Sequence, residues 1–193
     1  MGTRYGTMPP ITSVRVGHQR PSPERVSVPL AYHEIVHGPA ASTYTLSAGQ
    51  FSQQLDSLLR LGVDSQISFD DGHLTNHAVA LPLLQRYAVK ATFFVCAGLI
   101  SQRPGFMAWQ QVRELAQSGH SIQSHSWHHV FLTGCSNLVL EEELVRSKAC
   151  IEDRLGSAVT EISMPGGRFD DRVLEACARA GYRQVHTSNP WLT

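Results

Sequence analysis

The feature that most limits what this chain can become is an alternation of strand-like and helix-period stretches that runs almost from end to end. Ser47 begins a Ser-x-x-Gln capping-box pattern, and the helix it opens carries Phe51, Leu55, Leu58 and Leu59 on one face before Gly62 closes it. A strand over 66–69 precedes a helical stretch with Ala78, Leu81, Leu84 and Tyr87, and 91–96 (ATFFVC) is a nearly all-apolar strand of the kind covered on both faces. Helices over 109–117, 138–155 and 172–180 then alternate with strands over 121–124, 159–164 and 183–187. Gly119, Gly156 and Gly181 mark the helix ends, and Asp170 serves as a cap. Alternation at this pace predicts parallel strands joined by right-handed crossovers. With a first strand over 26–32 there are about six, too few for a closed eight-fold barrel and many for a small open sheet. The expected fold is α/β, a distorted or incomplete barrel, with a doubly wound open sheet as the alternative. Function should gather in either case at the carboxyl ends of the strands.

The unusual residues lie at those ends. Asp70, Asp71, Gly72 and His73 follow the strand over 66–69; His125, Ser126, Trp127, His128 and His129 follow that over 121–124; Pro165, Gly166, Gly167 and Arg168 follow that over 159–164. Two adjacent carboxylates repel, and a cation relieves this, so Asp71 as a metal ligand would let Asp70 stay ionised beside it and act as a base. A turn or helix cap is the bland reading of Asp-Asp-Gly. His125 and His129, separated by three residues, can turn both imidazoles to one side, and with Asp71 they make a three-ligand set that leaves a coordination position for water. Nitrogen and oxygen ligands suit Zn²⁺, and Co²⁺, Ni²⁺ or Fe²⁺ also fit.

Composition narrows the partners. The chain has 193 residues and 42% apolar content, enough for one domain with a real core. Its sixteen basic and sixteen acidic side chains cancel, which argues against a nucleic-acid binder and leaves neutral substrates open. No apolar run is long enough to span a membrane, and the N-terminus has no signal-peptide core, so a cytoplasmic location is expected. The four cysteines are widely spaced and read as free thiols. Residues 1–26, with Pro9, Pro10, Pro21 and Pro23, read as a flexible or draped arm before a domain over 27–193.

Ser68-Phe69-Asp70-Asp71-Gly72 closely resembles the Thr-Phe-Asp-Asp-Gly signature of the polysaccharide deacetylase superfamily (carbohydrate esterase family 4, the chitooligosaccharide deacetylase homology domain). His125-Ser126-Trp127-His128-His129 matches its His-Ser/Thr-x-x-His signature, and Pro165 and Gly167 match part of an Arg-x-Pro-x-Gly segment. Tyr32-His33 resembles a Tyr-His pair common upstream of these domains. The resemblance implies a distorted (β/α)₇ barrel, Asp70 as general base, and Asp71, His125 and His129 as metal ligands. The implied reaction removes N-acetyl groups from N-acetylglucosamine-containing glycans, metal-bound water attacking the amide. A small amide or cyclic ureide as substrate, or a degenerate metal- or glycan-binding domain, are the alternatives.

Two departures from the family pattern stand out. Ser163 occupies the place of the arginine that normally orients the base, and Arg168, from the same loop, is the candidate substitute. The Leu-x-His segment whose histidine protonates the leaving amine is missing before Thr193, so the last part of the barrel is expected to be truncated, with His186 the nearest stand-in. Substrate-binding candidates are His73, Trp127, Pro165, Gly166, Gly167 and Tyr32. Nothing in the sequence speaks to oligomeric state, and Glu141-Glu142-Glu143 reads as an ordinary acidic helix start.

Overall fold

The computed structural model describes residues 12–15, 28–63 and 65–188, so most of the expected N-terminal arm, and the residues after 188, lie outside the described residues. The elements in chain order are β1 (Thr12–Arg15), β2 (Val28–Tyr32), β3 (Glu34–Val36), β4 (Thr45–Ser47), α1 (Ala48–Leu61), β5 (Ser65–Phe69), a π-helical turn Asn76–Ala80 running into α2 (Leu81–Arg86), and β6 (Thr92–Val95). Then follow α3 (Trp109–Gln117), β7 (Ser121–Ser124), α4 (Asn137–Leu155), β8 (Glu161–Ser163), α5 (Asp171–Arg179) and β9 (Gln184–Thr187).

Local chemistry accounts for the helices. Ser47 and Gln50 close a capping box on α1, and Gly62 ends it at φ 60. Ser136 caps α4 through the Val139 N–H, and Asp170 caps α5 through the Val173 N–H. The sheet runs β1-β9-β8-β7-β6-β5-β2, with β2 and β5 through β9 all parallel and β1 antiparallel on the β9 edge. β3 and β4 form a separate two-stranded parallel ladder. Six parallel strands curled into a half-barrel with helices outside are the incomplete (β/α) barrel expected, and the open doubly wound alternative falls away. β1, β3 and β4 were not foreseen.

The core lies between sheet and helices. Phe69 stacks on Phe93 with ring centroids 4.9 Å apart and meets Phe51 of α1 edge-on at 5.7 Å. Alternation along each strand sends these rings outward to the helices and leaves Asp70, His125 and Ser163 for the concave side. All four cysteines are free thiols. Among the described residues no helix is long and apolar enough to cross a membrane.

Candidate active site

The loops after β5 and β7 are held in conformations that side chains rarely adopt. Five non-glycine residues have positive φ among those described, and three of them stand here: Asp71 (φ 72), Ser126 (φ 65) and His129 (φ 63). Each costs about 1–3 kcal/mol, so strain is concentrated at the strand ends. Gly72 (φ 89) has no alternative: a Cβ there would stand 2.9 Å from Ile100 Cδ1 and 3.3 Å from Val95. The turn is pinned by the Cys96 and Met107 N–H groups, which donate to Asp71 O at 3.1 Å and Gly72 O at 3.0 Å.

That turn carries Asp71 to the imidazoles. Its Oδ1 lies 3.3 Å from His125 Nε2 and 3.2 Å from His129 Nε2. These contacts are short but not aligned as hydrogen bonds, and Asp71 Oδ1 is buried with no hydrogen-bonding partner. A carboxylate oxygen facing two imidazole nitrogens without bonding to either suits a cation. With bonds of about 2.0–2.1 Å, a tetrahedral Zn²⁺ sets ligand–ligand edges at about 3.3–3.4 Å, which the two separations from Asp71 Oδ1 match. His125, 1% exposed, points Nε2 this way because its Nδ1–H donates to Ser163 O at 2.8 Å. Burial alone would raise the Asp71 carboxyl, but the imidazoles of His125, His129 and His73 hold it well below the usual carboxylate range. Burial likewise opposes the rise of His125, which the charges of Asp70 and Asp71 bring about.

Cys96 brings its Sγ within 4.8 Å of the ligand atoms of Asp71 and His125, making a second conceivable donor set. Its thiol donates to His125 O at 3.4 Å, and burial, followed by the charges of Asp71 and Asp70, pushes it well above the ordinary thiol range. The thiol is already engaged by the His125 carbonyl, while the His125 and His129 nitrogens both stand 3.2–3.3 Å from one Asp71 oxygen, so Asp71, His125 and His129 are the better set.

Asp70 is buried beside them. Ser163 Oγ donates to its Oδ2 at 3.0 Å, and its Oδ1 is buried without a donor. The residue that replaces the family arginine therefore itself holds the carboxylate. Arg168 does not substitute: its guanidinium lies 4.3 Å from the Phe131 ring centroid, a cation–π contact that accounts for it.

The Tyr-His pair divides as strand geometry requires. Tyr32 turns toward the helices, packing on Phe51 and Phe69 and donating its hydroxyl to Gln54 Oε1 at 2.8 Å, while burial pushes its pKa up to about 12. It is a packing residue, which corrects its expected substrate contact. His33 turns the other way. Its Nδ1 is buried without a partner, and Asn76, at the start of the π-helical turn, fixes its backbone by donating Nδ2–H to His33 O at 2.6 Å. Burial lowers the pKa of His33, and the charges of Asp70 and Asp71 are near enough to oppose that fall.

Of the other candidates, His73 reaches the site: its Nε2 is 3.2 Å from Asp71 Oδ2 and its ring packs on Phe106. Trp127 does not offer a free face. Arg146 covers it, with Cζ 4.3 Å from the ring centroid, and Gly98 lies so close that a Cβ there would meet the indole at 2.6 Å. Pro165 is buried, the Gly167 N–H is used on Met164 O, and Gly166 packs against Phe131, so this segment shapes the rim. His186 pairs with Glu161 at 2.7 Å and packs on Phe94.

One residue that sequence reasoning dismissed belongs to the site's frame. Glu143, 4% exposed, accepts the Trp127 and His128 N–H groups on Oε2 at 2.9 and 2.8 Å and His128 Nδ1–H on Oε1 at 2.6 Å. The available signal was its place seven residues past the cap Ser136, on the same helical face as Leu140, Leu144 and Ser147.

Comparison with known proteins places the chain in a family. Residues 65–185 match the family model described as polysaccharide deacetylase. The chain is 30% identical over 125 residues to the chitooligosaccharide deacetylase of Rhizobium leguminosarum bv. trifolii, covering 63% of this chain and 55% of that one. It is 34% identical over 110 residues to the peptidoglycan-N-acetylglucosamine deacetylase PgdA of Listeria monocytogenes, covering 56% and 22% respectively. The chain thus spans from about a fifth to about half the length of these relatives. The Streptococcus pyogenes deacetylase PplD, solved in complex with acetate, superimposes with a TM-score of 0.77 at 27% identity, covering 84% of this chain and 83% of that one. The chain belongs to the polysaccharide deacetylase family.

Proposed function

We propose that this domain, over 27–193, removes N-acetyl groups from N-acetylglucosamine-containing glycans, with Asp71, His125 and His129 holding a divalent cation, Zn²⁺ by preference. The observation that carries the reading is the convergence of Asp71 Oδ1 and two imidazole Nε2 atoms at 3.2–3.3 Å beside a buried Asp70 whose Oδ1 has no partner. The names of the Rhizobium and Listeria relatives, and the acetate bound to PplD, support the substrate class.

When bound, such a cation would polarise the acetyl carbonyl and make water more acidic. Asp70 Oδ1 takes the proton as water attacks the carbonyl carbon, while Ser163 Oγ–H steadies Oδ2. The proton that Asp70 takes must reach the leaving nitrogen as the carbon–nitrogen bond breaks, releasing acetate and a free amine, and His33, near the charges of Asp70 and Asp71, is the group placed to carry it. His73 holds the outer oxygen of Asp71, keeping its other oxygen turned to the two imidazoles.

Elemental analysis of purified protein, paired with acetate release from chitooligosaccharides, peptidoglycan and a panel of small amides, tests this. Bound metal with release from the glycans is the expected result. Release from the small amides alone would overturn the substrate class, and protein that neither holds metal nor responds to added Zn²⁺ or Co²⁺ would overturn the mechanism.

A further inference from the structure

We propose that Glu143 is the positioning residue that sets the separation of the two metal-binding imidazoles; the inference rests on the metal reading above. His125 and His129 bracket three residues, and their relative position depends wholly on how residues 126–128 turn. The backbone turns through left-handed Ser126 and His129, a path that directs the Trp127 and His128 N–H groups toward α4. α4 meets them with two side chains one turn apart. Glu143 takes both N–H groups on one carboxylate oxygen, and Ser147 Oγ donates to Ser126 O at 2.9 Å. Ser124 Oγ accepts the Ser126 N–H, and the Gly98 N–H donates to Trp127 O.

Among these framing side chains Glu143 is the one that carries a charge, and it is almost fully buried. An anion withdrawn from water needs several strong donors, and all three that it receives come from the loop between the metal histidines. Loop and helix therefore hold each other in one arrangement: a loop that slackened would leave a bare buried carboxylate. His128 completes the arrangement, because its Nδ1–H bond to Oε1 draws its ring away from the cation site and toward α4.

The test uses the full chain stripped of metal, titrated with Co²⁺ and followed by visible absorption, for wild type, Glu143→Gln and Glu143→Asp. The amide oxygen of Glu143→Gln can accept both backbone N–H groups, so its Co²⁺ affinity should stay within about threefold of wild type. Glu143→Asp keeps the charge but withdraws the oxygens by one methylene, and should weaken Co²⁺ by about 10–100-fold and shift the visible bands. Circular dichroism and melting of the metal-free variants keep each titration below its own unfolding. If Glu143→Asp matches wild type in affinity and bands, Glu143 is a helix-packing residue only and the proposal falls. Equal losses in both variants would mean that they act through a general loosening of α4 and not through where the oxygens stand, and would also overturn it. If wild type takes up no Co²⁺, the metal reading fails first and the Glu143 role fails with it.

Discussion

Ser163 does two things for the site at once: its hydroxyl donates to Asp70 Oδ2 at 3.0 Å, and its backbone carbonyl accepts His125 Nδ1–H at 2.8 Å. The proposed base and a proposed metal ligand are thus referred to one residue of β8. Replacing Ser163 by alanine removes the first contact and keeps the second. We expect kcat to fall by about tenfold with Co²⁺ affinity unchanged, the scale of one hydrogen bond to a charged group. Steady-state kinetics together with a metal titration checks this, and a lost metal site would show that the two contacts are not separable.

Arg168, engaged with Phe131 and not with Asp70, should be expendable for the chemistry. Arg168→Ala is expected to retain activity within about threefold, since a partly exposed cation–π contact is worth about 0.5–1 kcal/mol. Asp70→Asn should lose about 10²–10⁴-fold, the scale of a removed general base. A large loss in Arg168→Ala would restore it as the partner of the base.

His33 can be tested by the leaving group. An amide must be protonated as it departs, whereas an activated aryl acetate departs as a stable anion. His33→Gln should slow acetamide cleavage by about a hundredfold or more and leave aryl acetate hydrolysis nearly unchanged. Equal losses on both substrates would assign His33 to structure alone.

The metal-free protein should have an unusual pH profile. Burial opposes the charged forms of His125 and His73, yet both are raised above 6.5 by Asp70 and Asp71 in the first case and by Asp71 in the second. Their contribution is therefore fully present below pH 6.5 and is lost as pH rises through the folded values. Asp71, depressed from 3.8 despite its burial, contributes above that value and loses its share as pH falls through its lowered one. Melting of chelator-treated protein should accordingly decline from about pH 6.5 toward pH 9 as His125 and His73 lose their protons. Added Zn²⁺ should reverse that decline, because binding requires neutral imidazoles and displaces their protons. A flat metal-free profile from pH 5 to 9 would contradict the coupling.

Much of this was legible in the sequence, for identifiable reasons. Ser47, Asp170, Gly62 and Gly156 act through local backbone chemistry, so the bounds of α1, α4 and α5 could be read to within a residue or two. Asp70, Asp71, His125 and His129 were visible because scarce residue types fall directly after strands. β3 and β4, three residues each, are too short to show a period, and they exist through pairing with each other. The π-helical turn at Asn76–Ala80 hides in a helical pattern because one extra residue per turn leaves the apolar spacing almost intact. Tyr32 and His33 could be named as a pair, but which of them faced the site depended on the register of β2 against β5. Glu143 looked like part of a solvated acidic run, since only the folded loop supplies the donors that make its burial tolerable.

The left-handed backbone at Asp71 carries a consequence for how this site can drift. That conformation is open to asparagine and glycine as well as aspartate, and closed to valine, isoleucine and threonine. A single-nucleotide change to asparagine would silence the proposed ligand and leave the turn intact, producing a well-folded, inert copy. A change to valine would disturb the turn itself and be cleared as a misfolded chain. Inert descendants of such a domain should therefore carry asparagine at this position far more often than any branched residue, and their intact barrels would conceal the loss.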